Sequence, residues 1–376
     1  STGERRMECS PEEVEDGREI LDWIVAQDWS SGNVGTMGVS YNGWTALMAG
    51  SLGHPAVKCI IPISAPFDGY REMTRTGGVF NSHLIKRWTA ICNEMDHNIM
   101  PSDITAKWLF VKGIPMVNDD VKRKDRLEKL YGLREGHHYA QEFMETISHR
   151  NDGMPGYGSL RIDSIFPIGN YQKINAAHVP VYAFAGWFDL SSAVGATRMF
   201  QNYTAPGSKL CLGPWNHGNR QDVSPFGKIQ DITMDRFGEM LKFLDRHVKG
   251  IHNGIDAEPP VHYFHMGAEE WRGSRTWPLE NTRTQSLYFA TNRQLSPDQP
   301  TSGGAEEIAL ENDVYTGWCT RWELGETDSQ YDTLLQREPE LPSWRSAPFE
   351  EAVDVTGIPK VSFYAALPDE ETTVFL

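Results

Sequence analysis

The chain has 376 residues, and its 35 Lys and Arg against 51 Asp and Glu give a formal net charge of −16. That length allows two or three domains with ample core, and that charge argues against nucleic acid or an anionic membrane as partner. No apolar run reaches the roughly 18 residues of a membrane-spanning helix, and the opening Ser1-Thr2-Gly3-Glu4-Arg5-Arg6 lacks the apolar core of a signal peptide.

The first element signal is Ser10-Pro11-Glu12-Glu13, with Ser as N-cap, Pro at the first helical position and Glu placed for a capping box. Val14, Ile20, Leu21, Trp23, Ile24 and Val25 follow at helical spacing. The apolar run Val34–Val39 then ends in Gly38-Val39-Ser40-Tyr41-Asn42-Gly43, and Ala46-Leu47-Met48-Ala49 reads as a helix. Strand, tight turn bearing Ser and helix make the layout of a nucleophile elbow. The turn forces strained backbone on the Ser, so small residues are needed where strand and helix approach, and Gly38 and Gly43 supply them. On its own the motif also fits a plain Ser in a glycine-containing βα loop. A second strand, Val57–Ile63, predicts a parallel sheet covered on both faces. Only one helix and one strand precede Ser40, where an α/β-hydrolase usually has several strands. The chain therefore reads as starting inside a domain.

Residues 67–168 change character. Amphipathic helices are predicted over 79–95, 121–131 and 138–149, a helical insertion able to wall a substrate pocket. The basic run Lys122-Arg123-Lys124 reads as a solvated helix face, and the spacing of His97, His137, His138 and His149 fits no metal motif. The sheet pattern returns with a strand over 179–185, ending in Gly186-Trp187-Phe188-Asp189, and a helix running through Met199 to Tyr203. Lys209–Gly213 is another strand, ending in Pro214-Trp215-Asn216-His217-Gly218. A helix over 232–249 closes this layer, with Phe237, Met240, Leu241 and Leu244 on one face. Beyond Gly250, strand-like runs over 261–266, 285–290 and 361–364 stand between turn-rich segments and predict an all-β domain, a sandwich or jelly roll. Its last residues, Thr373-Val374-Phe375-Leu376, read as the middle of a strand. The resulting division is 1–66 and 169–254 for the α/β core, 67–168 for the helical cap and 255–376 for an incomplete β-sandwich.

Ser40, Asp189 and His217 occur in the order Ser, Asp, His, each at a strand's carboxyl end, where ligands bind in open α/β sheets. A serine hydroxyl is a weak nucleophile at neutral pH. A histidine must take its proton, and a buried carboxylate must fix the imidazole tautomer. Singly, Asp189 also fits a helix N-cap and His217 a loop residue; type, order and position together favour catalysis. Cys9, Cys59, Cys92, Cys211 and Cys319 are scattered, odd in number and without Cys-x-x-Cys spacing, which outlines neither a disulfide framework nor a zinc site. They favour a reducing, cytoplasmic compartment. No cofactor is expected.

Several stretches resemble the cocaine-esterase/X-Pro dipeptidyl-peptidase family of serine hydrolases. These are Glu13-Val14-Glu15-Asp16-Gly17 through Asp22-Trp23-Ile24, the Ser40 motif with Tyr41 behind the nucleophile, Ala185-Gly186-Trp187-Phe188-Asp189 and Gly213-Pro214-Trp215-Asn216-His217-Gly218. Lys249-Gly250-Ile251-His252-Asn253-Gly254, Met266-Gly267-Ala268, Trp271-Arg272 and Trp277-Pro278 resemble the family's entry into a C-terminal jelly roll. The resemblance implies an α/β-hydrolase core with cap and β-sandwich tail, an acyl-enzyme on Ser40, His217 as base then acid, and Asp189 as its orienter. It implies the Tyr41 main-chain amide as one oxyanion donor; the family's second donor, a Tyr hydroxyl from an early loop, has no matching residue here. Trp44, Phe67 and Trp187 are expected to line an apolar acyl pocket, and Asp68, Glu72 and Asp222 are candidates to hold a substrate ammonium group. The expected partner is a small ester, amide or peptide, and homo-oligomerisation stays open. Ester or amide hydrolysis is the first reading, with β-lactam acyl groups among the family's substrates. An X-Pro dipeptidyl peptidase is the second, and an inactive binding scaffold is the reading from another class.

Overall fold

The computed structural model describes residues 7–97, 139–219, 234–308 and 341–367, with positions 129, 132, 137, 222 and 224 between them. The helix expected over 121–131, all but one of its residues, and the final run 373–376 lie outside the described residues.

Helix α1 (Pro11–Val25) starts as its sequence demands, with the Ser10 hydroxyl accepting the Glu13 N–H at 3.1 Å and Pro11 opening the first turn. Glu13 reaches past Ser10 to accept the Cys9 N–H at 2.8 Å. Strand β1 (Val34–Val39) lies parallel to β2 (Val57–Ile63), with helix α2 (Tyr41–Gly50) crossing between them. A π turn, Tyr70–Thr74, then leads into a small hairpin, β3 (Arg75–Thr76) and β4 (Val79–Phe80). Helix α3 (Ser82–Asp96) therefore starts later than the expected residue 79. Gly77 and Gly78, at φ 65 and 89, supply the left-handed turn that folds Val79 and Phe80 back as a strand. Short helices α4 (Ala140–Met144), α5 (Ile162–Ile165) and α6 (Tyr171–Ala176) follow.

The remaining core runs through β5 (Tyr182–Gly186), α7 (Ser192–Asn202), β6 (Lys209–Gly213), α8 (Arg236–His247), β7 (Val261–His265) and β8 (Glu270–Ser274). These strands complete a six-stranded sheet in the order β1-β2-β5-β6-β7-β8, parallel up to β7 with β8 antiparallel at the edge. Strand β7 was expected to open the β-sandwich; instead it pairs with β6, Leu210 opposite Val261, and extends the main sheet. A hairpin, β9 (Tyr288–Ala290) with β10 (Gln294–Ser296), lies beyond it. The run 361–364 forms no strand, and Tyr364 is fully exposed.

Period-two alternation sorts the buried strand residues onto two faces. Ile60, Ala183, Ala185, Leu210 and Leu212 face Leu21, Leu47, Ile174, Ala196 and Met199 from α1, α2, α6 and α7. Cys59, Ile61, Tyr182, Phe184 and Cys211 face Met240 and Phe243 of α8. Each side chain so buried contributes about 1.5–3 kcal/mol for the large aliphatics and phenylalanine. The buried stripe of α8 is thus 240 and 243, not the expected 237 and 241: Phe237 and Leu241 are 75% and 54% exposed. A third cluster forms the cap, where Trp44 and Met48 of α2 pack with Ile85, Phe143, Ile165 and Phe166.

Candidate active site

Ser40 sits between β1 and α2 at φ 59 and ψ −121, a conformation that L-residues seldom adopt. The close approach explains both flanking glycines. A Cβ on Gly38 would fall 2.4 Å from the Asn42 carbonyl carbon, and one on Gly43 would fall 2.8 Å from the Gly38 oxygen. The elbow is pinned from the neighbouring strand, since the Ser40 N–H donates to the Ile63 carbonyl at 2.8 Å. Tyr41 occupies the first position of α2, where helix geometry leaves the N–H without an intrahelical acceptor.

Asp189 follows β5 and His217 follows β6, and adjacent parallel strands bring the two loops together. The Trp187 N–H donates to the Gly213 carbonyl at 2.9 Å and the Phe188 N–H to the Trp215 carbonyl at 3.1 Å. Gly186 permits this, because a Cβ there would meet the Trp215 oxygen at 2.1 Å. Both side chains are buried, and His217 Nδ1 donates to Asp189 Oδ1 at 2.6 Å. A carboxylate accepting at Nδ1 leaves Nε2 of the neutral ring as a proton acceptor. The second oxygen, Asp189 Oδ2, accepts from the Ser192 hydroxyl at 2.9 Å. Ser191, not Asp189, is the N-cap of α7.

Ser40 and His217 line one cavity of about 70 Å³. Its apolar walls come from Trp44 on α2, Pro66 and Met73 after β2, Leu84 and Trp88 on α3, and Leu190. The Trp44 ring stacks on Phe166 at 4.0 Å and its Nε1 donates to the Ile165 carbonyl at 2.7 Å. Tyr41 stacks on Trp88, and its hydroxyl donates to the Glu13 carboxylate at 2.7 Å; burial pushes that hydroxyl far above the usual tyrosine range.

Phe67 and Trp187, expected in the acyl pocket, are not among the lining residues. Phe67 is buried edge-on against Tyr171 and Tyr203 within the helix-covered face. Trp187 packs on Trp277 and donates to the Phe264 carbonyl at 3.0 Å. The chain turns sharply after both strands, so these side chains fold back onto the scaffold.

The three carboxylates considered for an ammonium site are placed differently as well. Asp68 pairs with Arg150 at 2.8 Å, and Asp222 pairs through its backbone with Trp215, away from the cavity lining. Glu72 does reach the cavity from the π turn, an irregularity that recurs at functional sites. Its Oε2 accepts from the N–H groups of Phe67 (2.8 Å) and Asp68 (3.1 Å), and its Oε1 from Arg198 (2.9 Å). Burial outweighs these bonds and pushes the Glu72 carboxyl up to about 7. Sequence reasoning missed Ser64, Ser192 and Trp88. For Ser64 a signal existed, since it ends β2 on the same sheet edge as Ser40; Trp88 comes from a helix whose docking no local pattern reveals. Among the described residues no group of His, Cys, Asp and Glu is placed to hold a metal ion, and no helix is long and apolar enough to cross a membrane.

Residues 1–219 match the family model of the X-Pro dipeptidyl-peptidase (S15 family), and residues 253–376 match that of the X-Pro dipeptidyl-peptidase C-terminal non-catalytic domain. The whole chain aligns at 32% identity with a candidate serine esterase of Mycobacterium bovis, spanning 63% of that protein. It is 26% identical over 304 residues to the cocaine esterase of a Rhodococcus species, a match covering 78% of this chain and 50% of the relative. A solved CocE/NonD family hydrolase from Staphylococcus aureus shares the fold, with a TM-score of 0.54 at 20% identity over 80% of this chain and 45% of the other. The chain thus spans less than two thirds of the length of these curated relatives. An α/β-hydrolase sheet with its elbow agrees with the family model over the first 219 residues, the match to the non-catalytic domain follows it, and the chain belongs to the X-Pro dipeptidyl-peptidase S15 family.

Proposed function

We propose that this chain is a serine hydrolase that cleaves an ester or amide bond through an acyl-enzyme on Ser40. The observation that supports this reading is the buried 2.6 Å contact between Asp189 and His217 on the same cavity as an elbow-borne serine. As Ser40 Oγ attacks the substrate carbonyl, His217 Nε2 takes its proton. Asp189 stabilises the imidazolium so formed. The Tyr41 main-chain N–H, together with the start of α2, faces the negative charge developing on the carbonyl oxygen. His217 then returns the proton to the departing alcohol or amine, and water repeats the sequence to release the acid.

An uncharged acyl group is the better fit to the cavity. A dipeptidyl peptidase must hold a free ammonium group, and both oxygens of Glu72, the carboxylate in the lining, are already engaged by three donors. Desolvating an ammonium group without a free anionic partner is strongly unfavourable. A fluorophosphonate probe is expected to label the protein, and Ser40→Ala to abolish labelling. A folded sample that resists the probe would favour the scaffold reading. A p-nitrophenyl ester is expected to turn over faster than a Gly-Pro anilide; preference for the anilide would put the peptidase first.

A further inference from the structure

The dipeptide Ile63–Ser64 at the end of β2 touches both halves of the site. Its first carbonyl accepts the Ser40 N–H at 2.8 Å. The next residue leaves the strand: Ser64 has φ 52, and its N–H donates to the Phe184 carbonyl of β5 at 2.8 Å. That left-handed turn aims its hydroxyl across the sheet edge, where Oγ accepts the Gly218 N–H at 3.0 Å. Gly218 is the residue after His217. The hydroxyl hydrogen remains for Asn219 Oδ1, at 3.5 Å. Ser64 is buried and lines the cavity beside Ser40 and His217.

The histidine loop needs such a tie. Gly218 and Asn219 both have left-handed backbone, at φ 74 and 56, and among the described residues an isolated Trp215–Asp222 bridge flanks the segment. It is held as well by Asp189 on His217, by the Phe188 N–H on the Trp215 carbonyl, and by the Arg236 guanidinium of α8, which donates to the Asn219 carbonyl. Glycine would be the least strained residue at φ 52. A serine at this strained position points to its hydroxyl.

We propose that Ser64 is a positioning residue for the hydrolytic reaction: its hydroxyl holds the loop bearing His217 in place relative to Ser40, which Ile63 anchors one residue earlier. The inference rests on the triad reading above. A proton acceptor must sit within hydrogen-bond reach of the nucleophile. Loosening the loop lowers the population of that geometry while the apolar walls of the pocket, Trp44, Leu84 and Trp88 among them, stay as they are.

The test compares the full chain with Ser40→Ala, Ser64→Ala, Ser64→Gly and Ser64→Cys, by p-nitrophenyl ester turnover and by the rate of fluorophosphonate labelling. Ser64→Ala and Ser64→Gly are expected to lower kcat and the labelling rate about tenfold, the equivalent of about 1.4 kcal/mol in the barrier, with KM unchanged. Ser64→Cys keeps a weak acceptor at the same place and recovers part of the rate. Ser64→Gly suits the left-handed backbone, keeps or raises the melting temperature, and decides the question if Ser64→Ala fails to fold. A folded Ser64→Gly that labels at the wild-type rate, or raises KM at unchanged kcat, overturns the positioning role alone. Failure of the wild type to label, or labelling that survives Ser40→Ala, removes the triad reading and this role with it.

Discussion

Replacing Glu72 by Gln tests the electrostatics of the cavity wall through stability, independently of any substrate. Burial raises the carboxyl of Glu72 from 4.5 to about 7, in spite of two peptide N–H groups and Arg198. Between those two values the folded protein keeps a proton that the unfolded chain has lost. Stability must therefore fall as pH rises through this window, the reverse of a carboxylate whose folded pKa is depressed. A shift of about 2.5 units corresponds to about 3 kcal/mol over the whole window. Glutamine carries no titrating proton, and its oxygen can still accept from Phe67 and Asp68. Urea unfolding at about pH 5 and about pH 8 should show wild type losing about 3 kcal/mol more than Glu72→Gln across that interval. Identical slopes, or a wild type that gains relative stability on going to the higher pH, would show that Arg198 and the amides hold the group ionised.

Substitutions at four further positions probe the elbow, the dyad and the cap. In Asp189→Asn the Ser192 hydroxyl can switch from donor to acceptor, so the amide can keep its oxygen on His217 Nδ1 and lose only the charge. Its kcat on a p-nitrophenyl ester is expected to fall by less than the ~10⁴-fold of a tautomer reversal, and adding Ser192→Ala to deepen the loss. Gly38→Ala would drive a methyl group into the Asn42 carbonyl, which is backbone and cannot swing away; a lower melting temperature and loss of fluorophosphonate labelling are expected together. Trp44→Phe leaves the Ile165 carbonyl without its donor and should cost about 1 kcal/mol in urea unfolding. Trp44→Ala also removes the stack on Phe166 and should cost about 3–5 kcal/mol.

Legibility followed the range of the interactions involved. Val34–Val39, Val57–Ile63 and Lys209–Gly213 were readable to the residue, because each is a short apolar run bounded by turn residues. Helix α3 was placed too early, since its apolar spacing extends back over Val79, and only pairing with Arg75 and Thr76 reveals the hairpin. The stripe on α8 was misjudged for a related reason. Phe237 and Leu241 are apolar, but Phe243 joins the expected Met240 in meeting the sheet, and rotation about the helix axis is set by the surface it docks on. The placement of β7 beside β6 depends on a partner some fifty residues away, which composition cannot report.

The linear order of residues by itself determined the elbow, because the steric demand for small neighbours around Ser40 is local, and it named Asp189 and His217 from their positions after strands. Tertiary structure alone decided which side chains share the cavity. Phe67 and Trp187 fold back into the scaffold while Ser64, Glu72 and Trp88 come forward. Those outcomes depend on the angle at which each chain segment leaves the sheet and on the donors waiting there, and both are properties of the packed molecule.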